Sequence, residues 1–178
     1  MELKKNNWFN ISNFLSFIRI LFVFPTVYFY SIHRNDLVFI IAFFAMLSDF
    51  LDGYFARKLN QVTDLGKILD PLADKVLIGA AVISLTIYQE FPLWITLVIV
   101  IRDVIILLGA LFIYDRQKHV TQSNWPGKVT VTIIAVTVLS FMSGFMIIFE
   151  YLIFLSFIAI LFSAAMYARI FFQKLDGK

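Results

Sequence analysis

With 178 residues, 61% of them hydrophobic, and a mean hydropathy of +0.86, the chain is far more apolar than a water-facing globular domain, which usually stands at about 45–50%. It has no Cys and only two His, His33 and His119, which excludes disulfides and thiolate metal sites and argues against a His-based zinc site. The net charge of +3 is informative mainly through its placement along the chain, and no nucleic-acid partner is expected.

In chain order, residues 8–14 mix Trp8 and Phe9 with Asn10, Ser12 and Asn13. This pattern fits a short helix lying in a membrane interface, or more plainly a helix start with an interfacial Trp. Six apolar stretches follow, at 14–32, 37–50, 69–88, 92–114, 129–149 and 151–172, where a span needs about 20 residues. The second is interrupted by Asp49 and Asp52, and its helix is expected to continue through Arg57. Pro92 and Pro126 mark helix starts. The last two stretches nearly fuse, and 144–150 is the only plausible turn between them. The predicted fold is all-α: six transmembrane helices with a short N-terminal interfacial helix, forming one membrane domain over 1–178. No cleavable signal peptide, internal repeat or soluble domain is expected.

Basic residues collect before the first span (Lys4, Lys5), between the second and third (Arg57, Lys58, Lys67), between the fourth and fifth (Arg116, Lys118, Lys128) and at the end (Arg169, Lys174, Lys178). The other side holds Arg34, Asp36, Glu90 and Glu150. By the positive-inside rule both termini and the second and fourth loops face the cytoplasm.

The chemistry concentrates in Asp49-x-x-Asp52-Gly53-x-x-Ala56-Arg57, then eight residues, then Gly66-x-x-x-Asp70-x-x-x-Asp74. Spacings of i, i+3 and i, i+4 put each Asp pair on one face of its helix. The short connection over 58–65 makes the two helices antiparallel neighbours, so four carboxylates converge near the cytoplasmic membrane surface. Carboxylates so clustered repel one another and are costly at membrane depth. Two divalent cations offset both penalties, and a metal pair suits displacement at phosphorus. With oxygen ligands only, Mg²⁺, Mn²⁺ or Ca²⁺ are favoured. Gly53 and Gly66 let a nucleotide approach the backbone, Arg57 can fork onto a phosphate, and Asp74 can take a proton from an attacking hydroxyl. The bland alternative, helix-capping Asp paired with nearby Arg and Lys, fits one such residue far better than four.

This block resembles the full signature of the CDP-alcohol phosphatidyltransferases, with every position filled. The resemblance implies a six-helix membrane fold, usually homodimeric, with a two-metal site (Mg²⁺ or Mn²⁺) open to the cytoplasm. It implies Asp49, Asp52 and Asp70 as metal ligands and Asp74 as ligand and general base, with Gly53, Ala56, Arg57 and Gly66 on the CDP moiety. The reaction implied is transfer of a phosphatidyl group from CDP-diacylglycerol to an alcohol in a bacterial-type inner or plasma membrane.

Asn13-x-x-Ser16-x-x-Arg19 resembles the start of many family members. A site-facing role is expected for Asn13, while Arg19 is open between the site and snorkelling to the headgroups. Arg102-Asp103, inside the fourth stretch, reads either as a functional pair or as a mutual ion pair that stabilises packing. Arg102, Lys128 and Arg116 are candidates for holding the acceptor or lipid phosphate; positive-inside topology alone also accounts for Lys128 and Arg116. Glycerol 3-phosphate is the expected acceptor. Phosphatidylglycerol, as used by cardiolipin synthases, is close behind, because Leu108-Gly109-Ala110-Leu111 lacks a cation that many glycerol-phosphate enzymes carry there. A cation transporter with intramembrane carboxylates is the rival of a different class; it predicts repeated halves and a mid-membrane site.

Overall fold

The computed structural model describes residues 11–58, 66–117 and 125–175, as helices joined by short connections, with no strand among them. The helical segments are α1 (Ile11–Leu21), α2 (Val23–Ser31), α3 (Asn35–Lys58), α4 (Gly66–Gln89), α5 (Leu93–Gln117), α6 (Trp125–Met142) and α7 (Met146–Leu175). The interfacial helix expected over 8–14 falls largely outside the described residues.

α1 and α2 together cover the apolar stretch expected over 14–32. Phe22 keeps helical dihedrals (φ −65°, ψ −15°), and its neighbours stay bonded, Phe22 N–H to Ile18 at 3.0 Å and Thr26 N–H to Phe22 at 3.1 Å. Pro25, which has no N–H, cannot bond the Leu21 carbonyl, and the ladder is interrupted there. α3 runs through Asp49 and Asp52 to Lys58, as the motif spacing required. The last two apolar stretches divide earlier than predicted. α6 starts at Trp125, four residues ahead of expectation and with Pro126 in its first turn, and ends at Met142. α7 already begins at Met146, so Glu150, expected near the turn, lies within the helix.

The chain-reversing turns explain these boundaries. After α2, His33 N–H bonds Tyr30 O (3.1 Å) and Arg34 N–H bonds Phe29 O (2.9 Å). After α6, Gly144 N–H bonds Phe141 O and Phe145 N–H bonds Ser140 O, both at 3.0 Å. Both are Schellman stops, which satisfy the last carbonyls by placing one residue in the left-handed region: His33 at φ 56° and Gly144 at φ 75°. Glu90, just after α4, also has positive φ (60°).

The chain divides into two compact units, Met1–Gln89 and Glu90–Lys178. In the first, the α1–α2 segment packs against both α3 and α4. Asn35, opening α3, and Gln89, closing α4, exchange amide hydrogen bonds: Asn35 Nδ2 donates to Gln89 Oε1 at 3.0 Å and Gln89 Nε2 donates to Asn35 Oδ1 at 2.6 Å. The start of α3 thus lies beside the end of α4, and the two helices run antiparallel.

In the second unit α6 and α7 form an antiparallel hairpin and α5 packs on α7. The hairpin seam is made of hydroxyls. Thr130 Oγ1 donates within hydrogen-bond range of the carbonyls of Pro126 (2.8 Å) and Ala159 (3.1 Å). One heptad on, Thr137 Oγ1 lies 2.8 Å from Ile133 O, 3.3 Å from Leu152 O and 2.7 Å from Ser156 Oγ. At the turn end, Phe91, Phe141 and Phe149 cluster with ring centroids 5.0–5.8 Å apart. Close to the start of α6, Gly127 leaves room for Tyr167, whose hydroxyl would stand 2.6 Å from an added Cβ.

Burial departs from that of a water-soluble protein, although apolar residues such as Leu85, Phe91 and Ile95 are also buried. Thr130, Thr137, Ser156 and Ser163 are buried, while Phe24 (71% exposed), Ile147 (77%) and Tyr151 (76%) face outward. Small and hydroxylated residues inside with large apolar ones outside is how helices pack when the solvent is lipid. Among the described residues three helices are long and apolar enough to cross a membrane, at Pro71–Gln89, Trp125–Met142 and Met146–Arg169, and shorter apolar helices cover Ser16–Ser31 and Asn35–Ser48.

Candidate active site

The signature residues occupy the ends of α3 and α4 opposite the Asn35–Gln89 pair. From Asn35, Asp49 and Asp52 lie about 21 and 26 Å along α3; from Gln89, Asp74 and Asp70 lie about 23 and 29 Å back along α4, at 1.5 Å per residue. Because the helices are antiparallel and tied at one end, both Asp pairs come to the same depth at the other. That separation is most of the hydrocarbon thickness of about 30 Å. Pro71, directly after Asp70, sits inside α4 and removes the backbone bond to the Lys67 carbonyl in its first turns. Gly53, Ala56 and Arg57 follow on α3, Gly66 is the first residue of α4, and Asn13 is in α1.

The side chains of Asn13, Asp49, Asp52, Ala56, Arg57, Asp70 and Arg116 lie outside the described set, so these residues are placed only by their helix positions. Among the described residues no group of three metal-ligating side chains occurs; Asp74 is the one signature carboxylate described in full. The donor set written in the sequence, four carboxylates without Cys or His, suits hard divalent cations held by oxygen.

Asp74 has a partner that the spacing rules did not reveal. Arg19 Nη1 donates to Asp74 Oδ1 at 2.5 Å, joining α1 to α4. Arg19 is 1% exposed, so it does not snorkel to the headgroups. Ser16, three residues earlier and on the same face of α1, is also fully buried. The signal was present in Asn13-x-x-Ser16-x-x-Arg19, but the pattern does not say which carboxylate its Arg meets. One position before Asp49, Ser48 buries its hydroxyl without a hydrogen-bond partner among the described residues.

Arg102, in the second unit, is buried in mid-helix. Its Nη1 donates to Asp103 Oδ1 at 2.6 Å and its Nη2 to Ser163 Oγ at 3.3 Å, while Nε has no partner among the described residues. The mutual ion pair is therefore formed, with an added tie to α7. Lys128 is exposed in the first turn of α6.

The chain matches the model of the CDP-alcohol phosphatidyltransferase family over residues 9–174. It is 37% identical over 134 residues to the CDP-diacylglycerol--glycerol-3-phosphate 3-phosphatidyltransferase of Aquifex aeolicus, an alignment covering 74% of each chain. It is 42% identical over 85 residues to the protein of the same name from Bacillus subtilis, covering 48% of this chain and 44% of that one. It is 38% identical over 82 residues to the cardiolipin synthase (CMP-forming) of Streptomyces coelicolor, covering 46% of this chain and 38% of that protein. The chain belongs to the CDP-alcohol phosphatidyltransferase family. It is thus a transferase of phospholipid synthesis, carried on membrane-length apolar helices, and the transporter reading has no support.

Proposed function

We propose that this chain transfers the phosphatidyl group of CDP-diacylglycerol to glycerol 3-phosphate, releasing CMP and forming phosphatidylglycerophosphate. The carrying observation is the 37% identity to the Aquifex glycerol-3-phosphate phosphatidyltransferase over 74% of both chains.

In this reading Asn13, Gly53, Ala56, Arg57 and Gly66 bind the CDP moiety, with the two glycines admitting it close to the helix backbones and Arg57 forking onto phosphate. Asp49, Asp52, Asp70 and Asp74 would hold two divalent cations, Mg²⁺ or Mn²⁺, and the chemistry these would supply is neutralisation of the diphosphate and of the charge left on CMP. Asp74 accepts the proton of the acceptor hydroxyl as its oxygen bonds the lipid-bearing phosphorus and the bond from that phosphorus to the CMP oxygen breaks. Lys128 and Arg116 meet the acceptor's phosphate, and Arg102 contributes through its remaining Nε–H. Residues 1–178 form one six-span membrane domain in this reading, with an interfacial helix over 8–14, and assemble as a homodimer. The site faces the cytoplasm from a bacterial-type inner membrane.

A second reading is supported by the cation-free run 108–111: a cardiolipin synthase, with phosphatidylglycerol as acceptor. The test is CMP release by purified protein from CDP-diacylglycerol with Mg²⁺ or Mn²⁺, supplying each acceptor in turn. Metal-dependent release with glycerol 3-phosphate alone supports the first reading, and with phosphatidylglycerol alone the second. Release with neither, in folded protein, overturns both.

A further inference from the structure

We infer that Arg19 is a positioning residue for Asp74, fixing the direction in which that carboxylate faces the reaction; this rests on the proton-accepting role proposed above for Asp74. Three observations lead there. Arg19 is buried to 1% exposure, so its guanidinium is held by packing and has little freedom to follow a moving partner. It reaches Asp74 from another helix, 55 residues away in sequence, and grips Oδ1 specifically. The Asp74 side chain is itself 42% exposed, so Arg19 holds the carboxylate from the buried side while part of it stays open to solvent.

A carboxylate two torsions from the backbone has several staggered orientations available to it in principle. A guanidinium fixed in a buried wall selects one of them through its Nη1–Oδ1 contact, which an ammonium on a flexible four-carbon stem would not hold in the same direction. Direction matters because a base must come within about 2.6–3.2 Å of the proton it takes, and a misplacement of about 1 Å costs on the order of 10²-fold in rate. Burying a guanidinium in a membrane helix is costly, and packing alone would be met by an apolar residue. The α1 helix thereby acts as a jig for the carboxylate on α4, although Arg19 stands outside the aspartate signature.

The test compares wild type with R19Q, R19A and R19K in detergent, following CMP release across CDP-diacylglycerol concentrations. The expected result for R19Q is a fall in kcat of about 10²-fold with KM for the CDP-lipid within about threefold of wild type. Millimolar guanidinium should restore part of kcat to R19A and none to wild type. R19K should melt near wild type yet lose about tenfold or more in kcat, because a compact ammonium on a flexible stem does not fix the carboxylate's direction. If R19Q and R19A do not fold, R19K alone decides: wild-type kcat overturns the inference. It is equally overturned by R19Q turning over within about twofold of wild type, or by a rise in KM with kcat intact, which would make Arg19 a substrate contact. A kcat loss in folded R19A that guanidinium leaves unchanged also overturns it. Inert wild type would sink the functional reading itself, and this role with it.

Discussion

The amide pair between Asn35 and Gln89 should contribute measurably to stability through its coupling. Two hydrogen bonds, 3.0 and 2.6 Å long and part-buried, each contribute about 0.5–1.5 kcal/mol net, or about 2 kcal/mol together. Replacing Asn35 by Ala deletes both bonds and leaves the Gln89 amide without them in a half-buried setting. Q89A does the converse. Each single variant should therefore lose about 2–3 kcal/mol, since an orphaned polar group adds its own desolvation cost. N35A/Q89A leaves neither amide behind and loses only the two bonds, so its loss should fall short of the sum by about 2–4 kcal/mol. For a chain of this length each kcal/mol shifts Tm by about 2–4 °C, which is resolvable by Trp fluorescence melting in detergent. The reasoning is refuted if the two single losses add within about 0.3 kcal/mol, because the bonds would then not be coupling the helix ends.

Asp74→Asn should reduce CMP release by about 10²–10⁴-fold while CDP-diacylglycerol binding, measured by calorimetry, survives; unchanged turnover would remove Asp74 from its role. Chelation with EDTA should abolish CMP release and excess Mg²⁺ or Mn²⁺ should restore it; release persisting after dialysis against chelator would contradict the carboxylate metal site. His33→Gly should raise Tm by about 1–3 °C, as relief of a left-handed strain of about 1–2 kcal/mol is partly offset by the entropy of Gly. A lower Tm would mean that the His33 side chain stabilises its turn.

Much of the fold was legible because lipid imposes a coarse rule: a long apolar run must become a helix. The aspartates inside the second run did not hide α3, because their i, i+3 spacing is itself helical. Its boundary errors arose where turn geometry outweighs hydropathy. Apolar residues continue from Val129 to Phe149, yet Gly144 can enter the left-handed region and stops α6. His33 adopts the same conformation with no glycine to announce it. The break between α1 and α2 comes from one missing donor at Pro25, and a hydropathy profile is blind to it. At the site, Asp74 was legible from spacing within one helix. Arg19 and the Asn35–Gln89 pair were not, because each joins residues about 55 positions apart and local periodicity carries no information about such partners.

The hydroxyl seam of the α6–α7 hairpin raises a question of ambiguity. Thr130 meets Ala159 and Thr137 meets Leu152, seven residues forward on one helix for seven back on the other. Any carbonyl can accept such a bond, so the seam is nearly degenerate: sliding α7 by one heptad, about 10 Å, would set Thr130 against the carbonyl of Leu152 and Thr137 against that of Phe145. In lipid no hydrophobic penalty separates the two alignments. The turn at Ser143–Phe145 removes the ambiguity, since closed by a Schellman stop it has no slack to feed a shift of that size. The short turn works as the zero mark of a vernier. Lengthening it by a flexible heptad would be expected to yield two coexisting alignments.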